Sequence, residues 1–217
     1  RDYVYLEDDY LDGTLDTTKW TVATDGSSTA FVYEAVSGGA ITGATENASG
    51  DYIAVNGAAI TWAAGKNCGT EIRFKQDVIV ANKVEFGFTD ALSDETVLAI
   101  NDIDTPTITN GATDVLVIGR DTGQTLTTYA LVGDGTTGAT ASTAFLATLL
   151  PEVSVYHNLL VQCATNGGFG VFNDAYNLAV TCANGPDAAV LTRPHFIIGT
   201  LANTVINCSI DYIRAWQ

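Results

Sequence analysis

The sequence is poor in several residue types, and each shortage excludes a class of protein. It has no methionine, four prolines, four cysteines and two histidines among 217 residues. Only nine lysines and arginines stand against 25 aspartates and glutamates, which gives a formal net charge of −16. A surface of that sign repels phosphate backbones and anionic lipids, so we expect no nucleic acid and no membrane among its partners.

Long apolar runs are also missing. The longest, 145–151, is interrupted by Thr148 and is far shorter than the roughly 20 residues of a membrane-spanning helix. Hydrophobic residues nevertheless make up 47% of the chain, which is too much for intrinsic disorder. We therefore expect a soluble, folded protein, with 1–217 as a single β-sandwich domain. A first residue Arg1 without a signal-peptide pattern suggests a processed or secreted-type chain.

The motifs of common catalytic classes do not occur. There is no Gly-x-Ser-x-Gly and no phosphate-binding Gly-x-x-x-x-Gly-Lys. The histidines, His157 and His195, lie in apolar, strand-like surroundings, so we interpret both as packed or edge residues rather than catalytic bases. The sequence therefore predicts no enzyme, no catalytic residue and no cofactor.

The cysteines do not form a metal-binding pattern. Cys68, Cys163, Cys182 and Cys208 are separated by 95, 19 and 26 residues, which matches no zinc site. Cysteine is among the most buried residue types, so we interpret some or all four as free thiols. A Cys163–Cys182 or a Cys68–Cys208 disulfide is the alternative.

Acidic residues are numerous enough to raise two functional questions. Glycoside hydrolysis needs two carboxyl groups about 5–9.5 Å apart, whereas Glu71 and Asp77 lie roughly 20 Å apart along one strand and Asp94 and Glu95 occupy a turn-like segment. Two clusters offer oxygen ligands for Ca²⁺ but lack the spacing of a dedicated loop, so we interpret them as solvated turns. They are Glu7, Asp8 and Asp9 with Asp12, and Asn101 and Asp102 with Asp104.

Runs rich in Val, Ile, Thr, Phe and Tyr recur between Gly, Asn, Asp and Ser clusters, as in a β-sandwich. In 70–80, apolar residues alternate with charges that we interpret as a solvated face. We expect 83–89 to form a second half-buried strand that pairs with the first through a turn at 81–82. Residues 155–181 predict an antiparallel meander with turns at 166–168 and 174–177.

The stretch 142–150 fits a helix that Ser142 caps and Pro151 stops, or a loop that crosses a sheet edge. Most aromatic residues are expected in core or edge packing, although their faces can stack on sugar rings. Tyr3, Tyr5 and Tyr10 are expected on a surface used for contacts. The predicted core consists of Trp20, Phe31, Ile72, Phe74, Phe86, Phe88, Val161, Phe172, Ile197 and Ile210.

Three segments resemble a known fold family. The opening 8–20 (DDYLDGTLDTTKW) and the closing 209–217 (SIDYIRAWQ) resemble the first and last strands of concanavalin-A-like lectin/glucanase jelly rolls, especially the laminarinase-type hydrolases, and 69–75 (GTEIRFK) resembles a middle strand. The resemblance implies an all-β, two-sheet antiparallel β-sandwich in which the terminal strands lie close together. The Glu-x-Asp-x-x-Glu motif of the hydrolases has no match, so the resemblance carries the fold without the activity.

A fourth segment, 84–94 followed by 102–110, is similar to jelly-roll proteins of tailed bacteriophages. This similarity implies a virion structural protein, a capsid decoration protein at the virion surface, with other virion proteins, its own copies and cell-surface glycans as partners. The alternative is a secreted, lectin-like carbohydrate-binding module with aromatic, Asp and Asn side chains on the concave sheet, with or without Ca²⁺. A third hypothesis is a laminarinase-type glycosidase. An aromatic-lined groove favours the lectin, paired carboxylates the enzyme, and a flat apolar patch the structural protein.

Overall fold

The computed structural model describes residues 4–59, 61–91, 100–102, 107–108, 112–123, 128–135, 142–145, 152–165, 167–172 and 178–217. The regular secondary structure of these residues is β-strand, apart from one 3₁₀ turn at Ala64–Lys66. In this part of the chain no helix is long and apolar enough to cross a membrane. The strands are β1 (Tyr5–Asp8), β2 (Trp20–Thr24), β3 (Thr29–Glu34), β4 (Ala40–Ala44), β5 (Tyr52–Gly57), β6 (Trp62–Ala63), β7 (Gly69–Gln76), β8 (Asn82–Thr89), β9 (Ile100–Asp102), β10 (Thr107–Ile108), β11 (Val115–Asp121), β12 (Ala130–Asp134), β13 (Ser142–Phe145), β14 (His157–Ala164), β15 (Gly167–Phe172), β16 (Leu178–Cys182), β17 (Leu191–Thr200) and β18 (Asn207–Trp216).

Two eight-stranded antiparallel sheets pack face to face. Sheet A has the order β16-β15-β14-β7-β18-β4-β3, with β1 also paired to β18. Sheet B has the order β13-β12-β11-β8-β17-β5-β2, with β6 also paired to β17. Because β1 pairs with β18, the first and last strands lie side by side. The predicted two-sheet antiparallel sandwich is confirmed.

The core lies between the sheets and follows from the alternation of apolar residues along each strand. All ten residues predicted for the core are buried, with exposed fractions of 3% or less. Phe74 of sheet A and Phe196 of sheet B meet in its centre with ring centroids 5.1 Å apart. Ile197 differs from the other nine because it belongs to a small cluster with Tyr52 and Ala54 on the opposite face of sheet B.

The predicted pairing of 70–80 with 83–89 is wrong. β7 lies in sheet A between β14 and β18, whereas β8 lies in sheet B between β11 and β17. The connection between them passes from one sheet to the other at an end of the sandwich, and Ala81 adopts a φ of +52° there. The buried positions of both strands face the same core, so their alternation fits a hairpin and a crossover equally well.

A buried arginine anchors this crossover. Arg120 Nη1 donates a hydrogen bond to Asn82 Oδ1 over 2.7 Å, and Nη2 donates to Ile79 O over 2.6 Å. Asn82 Nδ2 in turn donates to Gln76 Oε1 and to Val78 O. Burial lowers the pKa of Arg120. The network therefore satisfies a charge at the end of the core and holds the segment that links the two sheets.

The predicted meander is confirmed as β14, β15 and β16, which pair in sequence. Gly167 and Gly168 belong to β15 rather than to its turn, and Asn166 and 174–177 lie outside the described residues. Ser142–Phe145 is neither helix nor loop but the edge strand β13, paired with β12. Propensity over so short a stretch is weak, and the available edge of β12 decides the conformation.

Candidate functional site

Two outer faces of the sandwich are candidates for function. On sheet B, the outward positions of β8 include Glu85, Gly87 and Thr89. Within β8, which is described completely, Glu85 is thus the one carboxylate, and the positions two and four residues later carry none. β8 was expected to be half-buried, but Glu85 and Thr89 are only 2% and 1% exposed. This face of β8 therefore presents no pair of carboxylates.

Glu85 belongs to a buried polar cluster that β5, β8 and β17 assemble. His195 Nδ1 lies 2.6 Å from Asn56 Oδ1 and donates to it, because a carboxamide oxygen only accepts. His195 Nε2 lies 3.3 Å from Glu85 Oε1, in a geometry that makes no hydrogen bond. His195 is 7% exposed and His157 2%, so the prediction that both histidines are packed is confirmed.

A small pocket lies next to this cluster, on the same face of sheet B. Its volume is about 150 Å³, with Tyr52, Lys83, Ile197 and Gly199 on the sheet and loop residues at its rim. A Cβ on Gly199 would find its nearest neighbour at 3.4 Å, so the glycine leaves usable space in the floor. Lys83 Nζ lies 2.9 Å from a carboxylate oxygen of Asp121. The pocket can therefore hold one small uncharged group.

The outer face of sheet A has a different character, because aromatic and charged side chains alternate across it. We call this set the aromatic strip. Its cross-strand register brings together residues that are distant in the sequence. Its aromatic members are Tyr5, Tyr156, Tyr212 and Trp216, and its polar members are Glu71, Arg73, Lys75, Asn158, Asp211 and Arg214.

One end of the strip is formed by Trp216. The register pairs it with Gly69 on one side and with Tyr5 on the other. A Cβ at position 69 would come within 2.4 Å of two carbons of the indole, so the ring lies over the bare backbone of the glycine. Tyr5 beside it is 53% exposed. Together they form a partly exposed aromatic surface at the strand ends.

The middle of the strip is a hydrogen-bonded network around Glu71. Tyr212 Oη donates to Glu71 Oε1 over 2.6 Å, and Arg214 Nε donates to Glu71 Oε2 over 3.0 Å. Asn158 Nδ2 donates to Tyr212 Oη over 3.3 Å. Burial and the hydrogen bond to Glu71 raise the pKa of Tyr212. Glu71 is 6% exposed, so it holds its neighbours in fixed positions rather than facing solvent.

Tyr156 forms the other end of the strip. Arg73 and Lys75 lie over its ring, with the guanidinium carbon and the ammonium nitrogen 4.5 and 4.9 Å from the ring centroid. Arg73 also pairs with Asp211. Gly69 and Lys75 are six residues apart on β7, so the strip extends over about 20 Å. Cation–π contacts fix both partners and leave polar groups at the surface.

The first acidic cluster, which was considered for Ca²⁺ and interpreted as a solvated turn, accepts hydrogen bonds from its own backbone. Asp8 accepts hydrogen bonds from Tyr10 N and Asp16 N through its two oxygens. Asp9 accepts one from Leu11 N, and Asp12 one from Thr14 N. Among the described residues, no group of three or more His, Cys, Asp and Glu is placed to hold a metal ion. The side chains of the second cluster, at 101–104, lie outside the described residues.

Comparisons with known proteins bear on the fold. No protein-family model matches the chain, and no curated protein matches it. Peanut lectin is similar in structure, with a TM-score of 0.63, 15% identity and coverage of 100% of this chain and 97% of the lectin. The chain folds as a concanavalin-A-like jelly roll. The fold that the sequence resemblance implied is therefore confirmed.

Two further proteins of similar structure are a β-glucanase and a pseudo β-1,3-glucanase. A β-glucanase of Bacillus licheniformis is 12% identical, with a TM-score of 0.60 and coverage of 97% of each chain. A pseudo β-1,3-glucanase of Mycobacterium tuberculosis is also 12% identical, with a TM-score of 0.59 and coverage of 97% of each chain. At such identities the similarity establishes the fold and leaves the function of this jelly roll open.

The aromatic strip was not predicted from the sequence. The charges of 70–80 were interpreted as a solvated face, but Glu71 is buried beneath Tyr212 and Arg214. The sequence signal for the strip is the alternation of Tyr212, Arg214 and Trp216 in the last strand. It became informative only when the register placed that strand beside β7. Of the tyrosines expected at a contact surface, Tyr5 is exposed, Tyr10 is fully buried, and Tyr3 lies outside the described residues.

Proposed function

We propose that this jelly roll is a non-catalytic carbohydrate-binding module and that the aromatic strip is its glycan-binding surface. The observation that carries the proposal is the strip itself. Partly exposed aromatic rings at both ends and in the middle can cover the apolar faces of sugar rings. Arg, Asn and Lys side chains between them can hydrogen-bond to sugar hydroxyls.

The rigidity of the strip supports this function. Gly69 and Tyr5 fix the place of Trp216, and two cations hold Tyr156. A surface ordered before binding loses less side-chain entropy when a ligand arrives. A row of partly exposed aromatic and polar side chains suits an extended polysaccharide, whereas the pocket of sheet B has room for a single small group.

The outer face of β8 supports the absence of catalysis in the proposal. Glycoside hydrolysis needs two carboxyl groups at about 5–9.5 Å, and β8 itself presents only Glu85. On the neighbouring strand β11, the carboxylate of Asp121 is paired with Lys83. The neighbours in structure include a pseudo β-1,3-glucanase as well as a β-glucanase. A binding protein without hydrolytic activity is therefore consistent with this architecture.

Affinity electrophoresis tests the proposal directly. The native chain is run through gels that contain laminarin, yeast mannan or polygalacturonate, beside a gel without polysaccharide. We expect retardation by at least one polysaccharide, and loss of that retardation in Trp216→Ala and Tyr156→Ala. Tyr33→Ala is the matched control, since Tyr33 is 36% exposed on β3 and lies outside the strip. Equal retardation of all variants, or release of reducing sugar from the gel polysaccharide, would contradict the proposal.

The virion role, the capsid partners, the homo-oligomer and the location at a virion surface or outside the cell stay predictions. The comparison structures described above are a plant lectin and bacterial proteins. A glycan-binding surface would serve an adhesive virion protein and a secreted module equally. Sedimentation of the natural source, with mass spectrometry for this chain in each fraction, distinguishes the virion protein from the secreted module.

A further inference from the structure

Two of the four cysteines lie directly opposite each other in sheet A. The β14–β7 register pairs Gln162 with Gly69, and Cys163 N donates to Cys68 O over 2.8 Å, one position further along. A hydrogen-bonded antiparallel pair has its Cα atoms about 5.5 Å apart, which matches the separation that disulfides adopt. In the structure both cysteines are free, buried thiols.

The register separates the two pairs that were considered from the sequence. Cys163 lies opposite Gly168, and Gly168 lies opposite Cys182, so a full strand, and about 9.6 Å, divides Cys163 from Cys182. Cys208 lies opposite Gln76, eight residues or about 26 Å along the sheet from Cys68. A disulfide needs Cα atoms within about 7 Å. The two pairings considered from the sequence, Cys163–Cys182 and Cys68–Cys208, are therefore excluded in this fold.

We infer that Cys68 and Cys163 form a disulfide, which closes a covalent link between β14 and the start of β7. The reaction is a thiol–disulfide exchange with an external disulfide such as oxidised glutathione. One thiolate attacks it to give a mixed disulfide and one released thiol. The second cysteine then displaces the other glutathione thiol, so two electrons and two protons leave the protein.

The burial of the pair indicates when the bond forms. Cys68 and Cys163 are 0% and 1% exposed, and the hydrogen bond to Cys68, together with burial, raises the pKa of the Cys163 thiol. Both effects slow exchange in the folded chain, since the thiolate is the reacting species. Oxidation therefore belongs to folding, before the two sheets close over the pair, and the finished bond is protected from reductants.

The proposed disulfide lies next to one end of the aromatic strip. Cys68 immediately precedes Gly69, over which the Trp216 indole lies. A cross-link there fixes the end of β7 against β14, directly below one end of the aromatic strip. This inference stands independently of the proposed glycan function, because it depends only on the register of sheet A.

Oxidative refolding tests the inference. The chain is unfolded and reduced, then refolded with a glutathione redox mixture or with dithiothreitol, and its intact mass and non-reducing peptide map are measured after alkylation. We expect the loss of two hydrogens and one linked peptide pair, which contains Cys68 and Cys163. The control variant Cys182→Ala/Cys208→Ala should retain the bond, whereas Cys68→Ala and Cys163→Val should each lose it.

A urea titration monitored by circular dichroism accompanies each sample, so that folded chains are compared. The oxidised wild type should unfold at a higher urea concentration than the reduced form, and the Cys163→Val variant should show no such difference. A folded wild-type chain with four alkylated cysteines after oxidative refolding would overturn the inference. A linked peptide pair that contains Cys182 or Cys208 would overturn it too.

Discussion

Trp216 lies over Gly69, and a single methyl group at position 69 would come within 2.4 Å of the indole. The glycine is therefore part of the aromatic strip although it has no side chain. Any larger residue has to push the ring away from the sheet. This pair links the sequence of β7 to the shape of the proposed binding surface on β18.

Gly69→Ala should weaken polysaccharide binding without removing any aromatic residue. The indole has to rotate away from the new Cβ, so the end of the strip loses its flat surface. We expect about a tenfold loss of affinity, which is about 1.4 kcal/mol, measured by calorimetry with the polysaccharide that retards the wild type. Gly199→Ala is the control, because its Cβ fits the pocket of sheet B and lies far from the strip. Unchanged affinity in Gly69→Ala would show that Trp216 does not belong to the binding site.

Phe74→Ala should destabilise the fold strongly. Phe74 is fully buried and contacts Phe196 across the two sheets, so truncation leaves a cavity that the neighbours fill only in part. We expect a loss of about 3–5 kcal/mol in the free energy of unfolding, measured by urea titration. Val32→Ala, on a residue that is 54% exposed, should stay within about 0.5 kcal/mol of the wild type. A loss below about 1 kcal/mol in Phe74→Ala would contradict the burial of this position.

Asn82→Ala should destabilise the crossover between the sheets. It removes the acceptor for Arg120 Nη1 and the donor to Gln76 and Val78. Hydrogen bonds to charged groups contribute about 1.5–3 kcal/mol, and we expect a loss of that size. A double-mutant cycle with Arg120→Met checks the mechanism, because the second change should cost less once the first has been made. Additive losses would show that the two side chains act independently.

Asp16 should titrate at an unusually low pH. The Thr18 hydroxyl donates to its Oδ1 over 2.6 Å, and with Lys19 this lowers the pKa of Asp16 from 3.8 to about 2. Because the folded pKa is below the unfolded one, the interaction stabilises the fold above pH 3.8 and is lost as the pH falls through about 2. Carboxyl NMR should give a midpoint near 2, and Thr18→Ala should move it towards 3.8. An unchanged midpoint in the variant would assign the shift to another group.

Local patterns in the sequence were sufficient for the strands and the core. The alternation that placed Phe74 and Phe86 inside depends only on neighbouring residues and a period of two. The same alternation could not show that β7 and β8 belong to different sheets. That placement depends on the long-range pairing of β7 with β14 and β18 and of β8 with β11 and β17, which neighbouring residues do not reveal.

The candidate site was hidden from the sequence for a related reason. Tyr5, Tyr156 and Trp216 come from three distant parts of the chain, and each looks like an ordinary strand residue in its own segment. The register of β1, β14 and β18 around β7 makes them one surface. A short motif marks a site when its residues are adjacent in the sequence. Here the residues are neighbours only because the sheet pairs their strands.

An NMR titration tests the central claim most directly. A short oligosaccharide, cut from the polysaccharide that retards the native chain, is added to ¹⁵N-labelled protein. The account predicts shifts of the Trp216 indole Nε1–H and of the amides of Tyr5 and Tyr212, while the amides of Tyr52 and Lys83 in the sheet B pocket stay in place. Shifts confined to Tyr52 and Lys83, or no shifts in either group, would contradict it.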